Sequence, residues 1–161
     1  MPRRTVFLNC MPVSKAEAAD AAAILADTVA GWLADPDNDV VYTEEVDGYL
    51  VVRMRQVVRD FTSVWFKAGE RSVQIEAHVL PAPDDDASAV FRQCLVRNQR
   101  AWRVHFMVAK DGGLALHGRL ANEVVNRAEL SMVLAEIYDV VEVSFRPLIR
   151  AGWGPGVGRE K

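Results

Sequence analysis

Trp102-Arg103-Val104-His105-Phe106-Met107-Val108-Ala109-Lys110-Asp111-Gly112-Gly113-Leu114-Ala115-Leu116-His117-Gly118-Arg119-Leu120 is the stretch whose reading decides the fold. Trp102, Val104, Phe106 and Val108 alternate with Arg103, His105, Met107 and Ala109, the two-residue period of a half-buried strand. Lys110-Asp111-Gly112-Gly113 supplies a turn, because glycine tolerates the positive φ that tight hairpins need. The return strand, Leu114 to Leu120, puts Leu114, Leu116, Gly118 and Leu120 on one face. Asn126 then caps a helix, with Glu129 in the position that closes a capping box. Leu130, Val133, Leu134, Ile137, Val141, Phe145 and Leu148 follow at spacings of 3 or 4, one continuous apolar stripe. A stripe of that length needs a broad apolar partner, and the hairpin's face is the nearest.

Working outward, residues 1–13 have no clear period and read as a loosely held arm. Ser14 caps the first helix, with Glu17 at the capping-box position and Ala22, Leu25, Val29, Trp32 and Leu33 as its stripe. Asp35-Pro36 ends it. Four strands are expected next: Val40 to Val46 and Tyr49 to Val58 around Asp47-Gly48, then Asp60 to Lys67, then Arg71 to Leu80. A stiff, charged connector, Pro81 to Asp86, leads into a helix capped by Asp86 and running to about Arg100, with Val90, Phe91, Cys94 and Leu95 inward. Pro147 should kink or stop the last helix, and the glycines of 154–161 make a flexible tail. The order is therefore α-ββββ-α-ββ-α over one domain, residues 14–153. Grouped strands with segregated helices read as α+β, an antiparallel sheet with helices on one face.

The 161 residues are half hydrophobic and a quarter charged, with a formal net charge of −3, which argues against a broad electrostatic footprint for nucleic acid. The apolar run Val6 to Leu8 is too short for a secretory signal, and no window is apolar enough to span a membrane. A cytoplasmic protein with no membrane and no nucleic-acid partner is expected. Cys10 and Cys94 are too far apart for a metal clip, and Cys94 reads as a small buried hydrophobe.

The residues offer no catalytic set and call for no cofactor or metal. Glu44 and Glu45 are adjacent on a strand and so point to opposite faces. Asp84 to Asp86 read as a solvated loop with a helix cap at its end, and Ser63, Ser88, Ser131 and Ser144 lack a nucleophile-elbow pattern. The glycine-rich end follows a helix and has no phosphate-binding lysine pattern. His78, His105 and His117 fall at outward strand positions without metal-ligand spacing, and Arg53, Arg55, Arg103 and Arg119 on the same face would repel a cation. One feature resists a plain solvated face: Tyr49 to Val52 is apolar on both sides, and Trp65 and Phe66 point oppositely. One of those two rings must leave the helix-covered side.

The Arg97-Asn98 helix end, the His105-Phe106 strand, the Asp111-Gly112-Gly113 turn, the Gly118-Arg119-Leu120 strand end and the ending from Val141 to Trp153 resemble the YbjN-domain family. The similarity covers about Asp86 to Trp153, and the first half matches in element order alone. The resemblance implies a fold similar to bacterial type III secretion chaperones, often dimeric, and a role in regulating sensory transduction, with no catalytic residue to carry over. The expectation is a non-enzymatic protein-binding module, a regulator or chaperone-like adaptor. The alternative is a small-molecule sensor holding a ligand between the last helix and the sheet, and a cavity of several hundred cubic ångströms there would favour it. The expected partners are a second copy of the chain and a further protein. Arg53, Arg55, Trp65, His78, His105, His117 and Arg119 are the expected protein interface, and its self-association should weaken as histidines gain protons beside the arginines.

Overall fold

The computed structural model describes residues 15–153. Cys10, the Ser14 cap, the arm 1–13 and the tail 154–161 lie outside the described residues. Helix α1, Lys15–Ala34, is followed by strands β1, Val40–Val46, β2, Tyr49–Arg55, β3, Phe61–Ala68, and β4, Ser72–Leu80. Helix α2, Ala87–Asn98, precedes strands β5, Val104–Val108, and β6, Leu114–Ala121. A single 3-10 turn, Asn122–Val124, leads to helix α3, Arg127–Gly152. The described strands form one six-stranded sheet in the order β1-β2-β3-β4-β6-β5, antiparallel at every pairing. This is the α+β architecture that the sequence predicts.

Local chemistry explains the turns. Asp47 and Gly48 both take positive φ, 50° and 74°, the conformation of a two-residue hairpin whose twist suits the strands it joins. Gly112 does the same at 84°, while Asp111 Oδ1 accepts from the Gly113 amide at 2.9 Å. Asp86 and Asn126 cap α2 and α3 through the amides of Ala89 and Glu129, each at 3.0 Å. The Glu129 carboxylate, expected to close a capping box, is instead paired with Arg103 through two contacts of 3.0 and 3.2 Å.

The inner face carries Val52, Met54, Val64, Phe66, Val73, Ile75, Ala77, Leu116 and Leu120, and α1 and α3 cover it. Trp32 of α1 meets Phe66 with ring centroids 6.2 Å apart and donates through Nε1 to Ser131 Oγ of α3 at 3.1 Å. The loop from β2 to β3 fastens α3 to the sheet. Glu142 Oε1 accepts from the amides of Val57 and Val58, Gln56 donates to the Tyr138 carbonyl, and Arg59 donates to the Val79 carbonyl beneath Phe145.

Several boundaries differ from the sequence reading, each for a physical reason. Strand β2 stops at Arg55 because Gln56 turns to Thr62 and Tyr138. The buried side of α1 is Ala21, Leu25, Thr28, Val29 and Trp32, not Ala22 and Leu33, since a run of alanines leaves the phase of the stripe open. Trp102 lies before β5 and is 82% exposed, and Leu95 points to solvent. Pro147 neither stops α3 nor ends its burial: Leu148, Ile149 and Gly152 remain packed, and a Cβ on Gly152 would meet Val90 at 2.7 Å. Packing of that last turn offsets the hydrogen bond a proline removes.

Candidate functional site

Strand register places one row of outward side chains across the entire sheet. His105 lies opposite His117, His117 opposite Glu76, Glu76 opposite Trp65, Trp65 opposite Val51, and Val51 opposite Glu44. Arg119 faces Gln74 in a neighbouring row, His78 faces Ala115, and Arg53 and Arg55 lie opposite Ser63 and Phe61. The expected interface residues therefore share the outer face. They spread over five strands, with Arg53, Arg55 and Trp65 on β2 and β3 and the histidines and Arg119 on β4, β5 and β6. Arg103 is not among them: it pairs with Glu129 and Glu136 of α3, on the helix side.

The half of that face over β1, β2 and β3 is a ladder of rings and cations. The Trp65 and Tyr49 rings meet edge to face at 5.9 Å, and Lys67 Nζ sits 4.7 Å from the Tyr49 centroid. The Arg53 guanidinium lies 4.4 Å from the Phe61 centroid and 5.3 Å from that of Tyr42. Such cation–ring contacts stabilise modestly and hold the rings flat across the strands. They cover Val51, which is only 4% exposed although it faces outward. Tyr42, Phe61 and Trp65 stay accessible, so an apolar, cation-edged surface is left facing water. Sequence reasoning found Arg53 and Trp65 but missed Tyr42, Phe61 and Lys67, whose membership follows from register alone.

A second feature lies where α2, β5 and α3 meet. The Glu136 carboxylate accepts from the amides of Trp102 at 2.7 Å and Arg103 at 3.0 Å, which pins the α2–β5 loop to α3. Asn98, at the end of α2, accepts from the Phe106 amide at 2.8 Å and donates to its carbonyl at 3.2 Å. Its carboxamide thus replaces a neighbouring strand along the edge strand β5, a device that blunts open sheet edges. Between these anchors runs a half-open groove of about 700 Å³, floored by Val104, Phe106, Leu116 and Ser144 and flanked by Val96, Trp102 and Val143. It lies between the last helix and the sheet, where the sensor alternative places a ligand, and its volume is of the size named for that alternative. A second groove, about 580 Å³, collects Asp35, Asp37, Asp39 and Asp139 between α1 and α3. Among the described residues no three His, Cys, Asp or Glu side chains, these aspartates included, are grouped so that they could hold a metal ion.

Nucleophile candidates are unactivated. Ser131 Oγ accepts from Trp32, and Ser144 Oγ is buried without a hydrogen-bond partner. Burial pushes the Cys94 thiol up to about 11, against a slight lowering by Arg97. A thiol so raised is not a thiolate at neutral pH, so thiol reagents should label Cys94 slowly in native buffer and promptly in denaturant. Fast stoichiometric native labelling would mean that the site opens. The buried neutral thiol supports folding below its ordinary value of 9.0, and that support is lost as pH rises from there through about 11.

Comparison with known proteins agrees with this architecture. A family model named YbjN and described as "Putative bacterial sensory transduction regulator" matches residues 25–149. An uncharacterised protein of Mycobacterium bovis is 34% identical over 92 residues, 57% of this chain and 50% of the relative. One of Mycobacterium leprae is 32% identical over 111 residues, 69% of this chain and 60% of the relative. The chain thus spans about half to three fifths of the curated relatives it matches. Among solved structures, a chain of the ExsC–ExsE complex superposes with TM-score 0.50 at 18% identity, covering 81% of this chain and 95% of that one. A chain of the ExoU–SpcU complex from the type III secretion system of Pseudomonas aeruginosa gives 0.47 at 16%, covering 76% and 94%. The α+β fold is thus shared with that chain of the ExsC–ExsE complex. With the family model running from Leu25 in the middle of α1 to Ile149 in the last turn of α3, the chain belongs to the YbjN family.

Proposed function

We propose that this chain is a non-enzymatic, chaperone-like adaptor that regulates by binding protein on the outer face of its sheet. A second copy of the chain is its first partner there, with a cytoplasmic setting. The observation that carries the reading is the exposed surface of Tyr42, Phe61 and Trp65 edged by Arg53 and Lys67. Aromatic residues and arginine are the types enriched at the centres of protein interfaces. The likeness to a chain of the ExsC–ExsE complex, itself a protein–protein assembly, supports the same reading.

Sedimentation at micromolar concentration tests it. The wild type should run as a dimer at pH 7.5, and Trp65→Glu, which puts a charge in the centre of the ring ladder, should run as a monomer with its fold intact. A monomeric wild type would remove the second copy as partner. At pH 5.5 the dimer should weaken if the facing pair His105 and His117 lies in the contact. An unchanged dimer there would take the histidines out of the contact.

A further inference from the structure

We infer that the groove between the end of α2, β5 and α3 is a binding site for a small, uncharged, largely apolar molecule that presents one hydrogen-bonding group. This goes beyond the adaptor reading, which concerns the opposite face of the sheet.

Three observations point to such an occupant. The first is size and lining: about 700 Å³ is within the range of ligand pockets, and Val104, Phe106 and Leu116 give it an apolar floor. The second is Ser144. Its residue is fully buried in the groove's wall, and its Oγ has no hydrogen-bond partner. A helical serine can return its proton to a carbonyl one turn back, but this one does not; its Oγ is shielded from water, and a ligand would relieve the free-energy penalty of the unmet hydroxyl once the side chain turns toward the groove. The third is the walls. Trp102 is 82% exposed, and Val143 is 67% exposed. Trp102 is held toward water by the loop that Glu136 fixes in place, and Val143 by its place on the solvent side of α3.

Charge selects the ligand class. Arg97 and Arg100 line the α2 side and Glu136 and Asp139 the α3 side, so the charges of the lining cancel. Glu136 is also occupied by two backbone amides, and Arg97 donates to the Gln93 carbonyl. Neither a strong anion nor a cation is favoured, whereas a neutral aromatic or acyl body is.

The probe N-phenyl-1-naphthylamine fits this description, since it is uncharged, apolar and carries one N–H that Ser144 Oγ could accept. Titrated into the full-length chain, it should show saturable one-site fluorescence enhancement with quenching of tryptophan emission. Val143→Trp and Val96→Trp fill the groove from opposite walls at exposed positions and should each weaken binding more than tenfold, with thermal unfolding unchanged. Ser144→Ala should weaken it about threefold to tenfold, the scale of one hydrogen bond. Trp65→Glu, on the other face, should bind as the wild type does. The proposal is overturned by an absence of saturable binding, by wild-type affinity in both filling variants, or by an affinity that falls as protein concentration rises. The last result would show that a second copy covers the groove. Equal affinity of Ser144→Ala and the wild type would remove Ser144 as the anchor.

Discussion

Ile137→Ala should lower the free energy of unfolding by about 2–5 kcal/mol, the range for large-to-small truncation in a packed core. Ile137 is fully buried at the middle of α3, between Leu130, Val133 and Leu134 on one side and Val141 on the other. The loss has two parts. The removed methyl and methylene groups forfeit their transfer free energy, and the cavity left behind collapses poorly. Collapse is hindered because α3 is tied at both ends of this segment: Glu136 holds the loop before β5, and Glu142 and Tyr138 hold the loop after β2. Urea titration monitored by circular dichroism measures the effect, with Met132→Ala on the exposed side of the same helix as the reference. A loss for Ile137→Ala below about 1 kcal/mol, the scale of surface substitutions, would sink the assignment of this helix to the core.

Gly118→Val should also be strongly destabilising, at the upper end of the roughly 1–3 kcal/mol typical of overpacking. Gly118 sits on β6 opposite Val104, between two paired strands. A Cβ there would meet the Arg103 carbonyl oxygen at 2.5 Å and Val104 Cγ1 at 3.0 Å. The closer of those atoms is backbone and cannot swing aside. Retreat of Arg103 would strain its amide bond to Glu136 and its paired contacts with Glu129. Gly118→Ala should show the same direction with smaller size, because its single Cβ already reaches the carbonyl. The urea midpoint and the emission of Trp102, two residues from the displaced Val104, report the two consequences separately. Wild-type stability in Gly118→Val would mean that the β5–β6 pairing yields without cost, against the geometry.

The course of the chain through the fold was readable because local periodicity and turn chemistry act over a few residues. Asp47-Gly48 and Asp111-Gly112-Gly113 announce hairpins through the positive φ they tolerate, and Asp86 and Asn126 announce helix starts through short polar side chains. The stripe from Leu130 to Leu148 needed one face and found it. Readings failed where a distant residue decides the outcome. Glu129 suits a capping box, yet Arg103, 26 positions away, takes its carboxylate. Trp102 fits the alternation of β5, yet Glu136, 34 positions away, draws its amide out of the strand. Pro147 argues for a helix stop, but the packing of Leu148, Ile149 and Gly152 outweighs it.

The candidate sites divide in the same way. Alternation along a strand gave the outward direction of Arg53, Trp65, His78, His105, His117 and Arg119, because successive side chains must point oppositely. What lies beside them depends on strand order and register, which the sequence does not encode within any one strand. Tertiary structure alone set His105 against His117, laid Arg53 between Phe61 and Tyr42, and drew Asn98 onto the open edge of β5. It alone also formed the groove over Ser144, since α3 must fold back onto the α2–β5 stretch to enclose it. Sequence by itself determined the elements, their order and, outside the alanine-rich α1, the main apolar side of each, through interactions spanning a turn or a hairpin. Which surfaces then face one another was decided by long-range packing, where the energy of a contact depends on neighbours that no local pattern names.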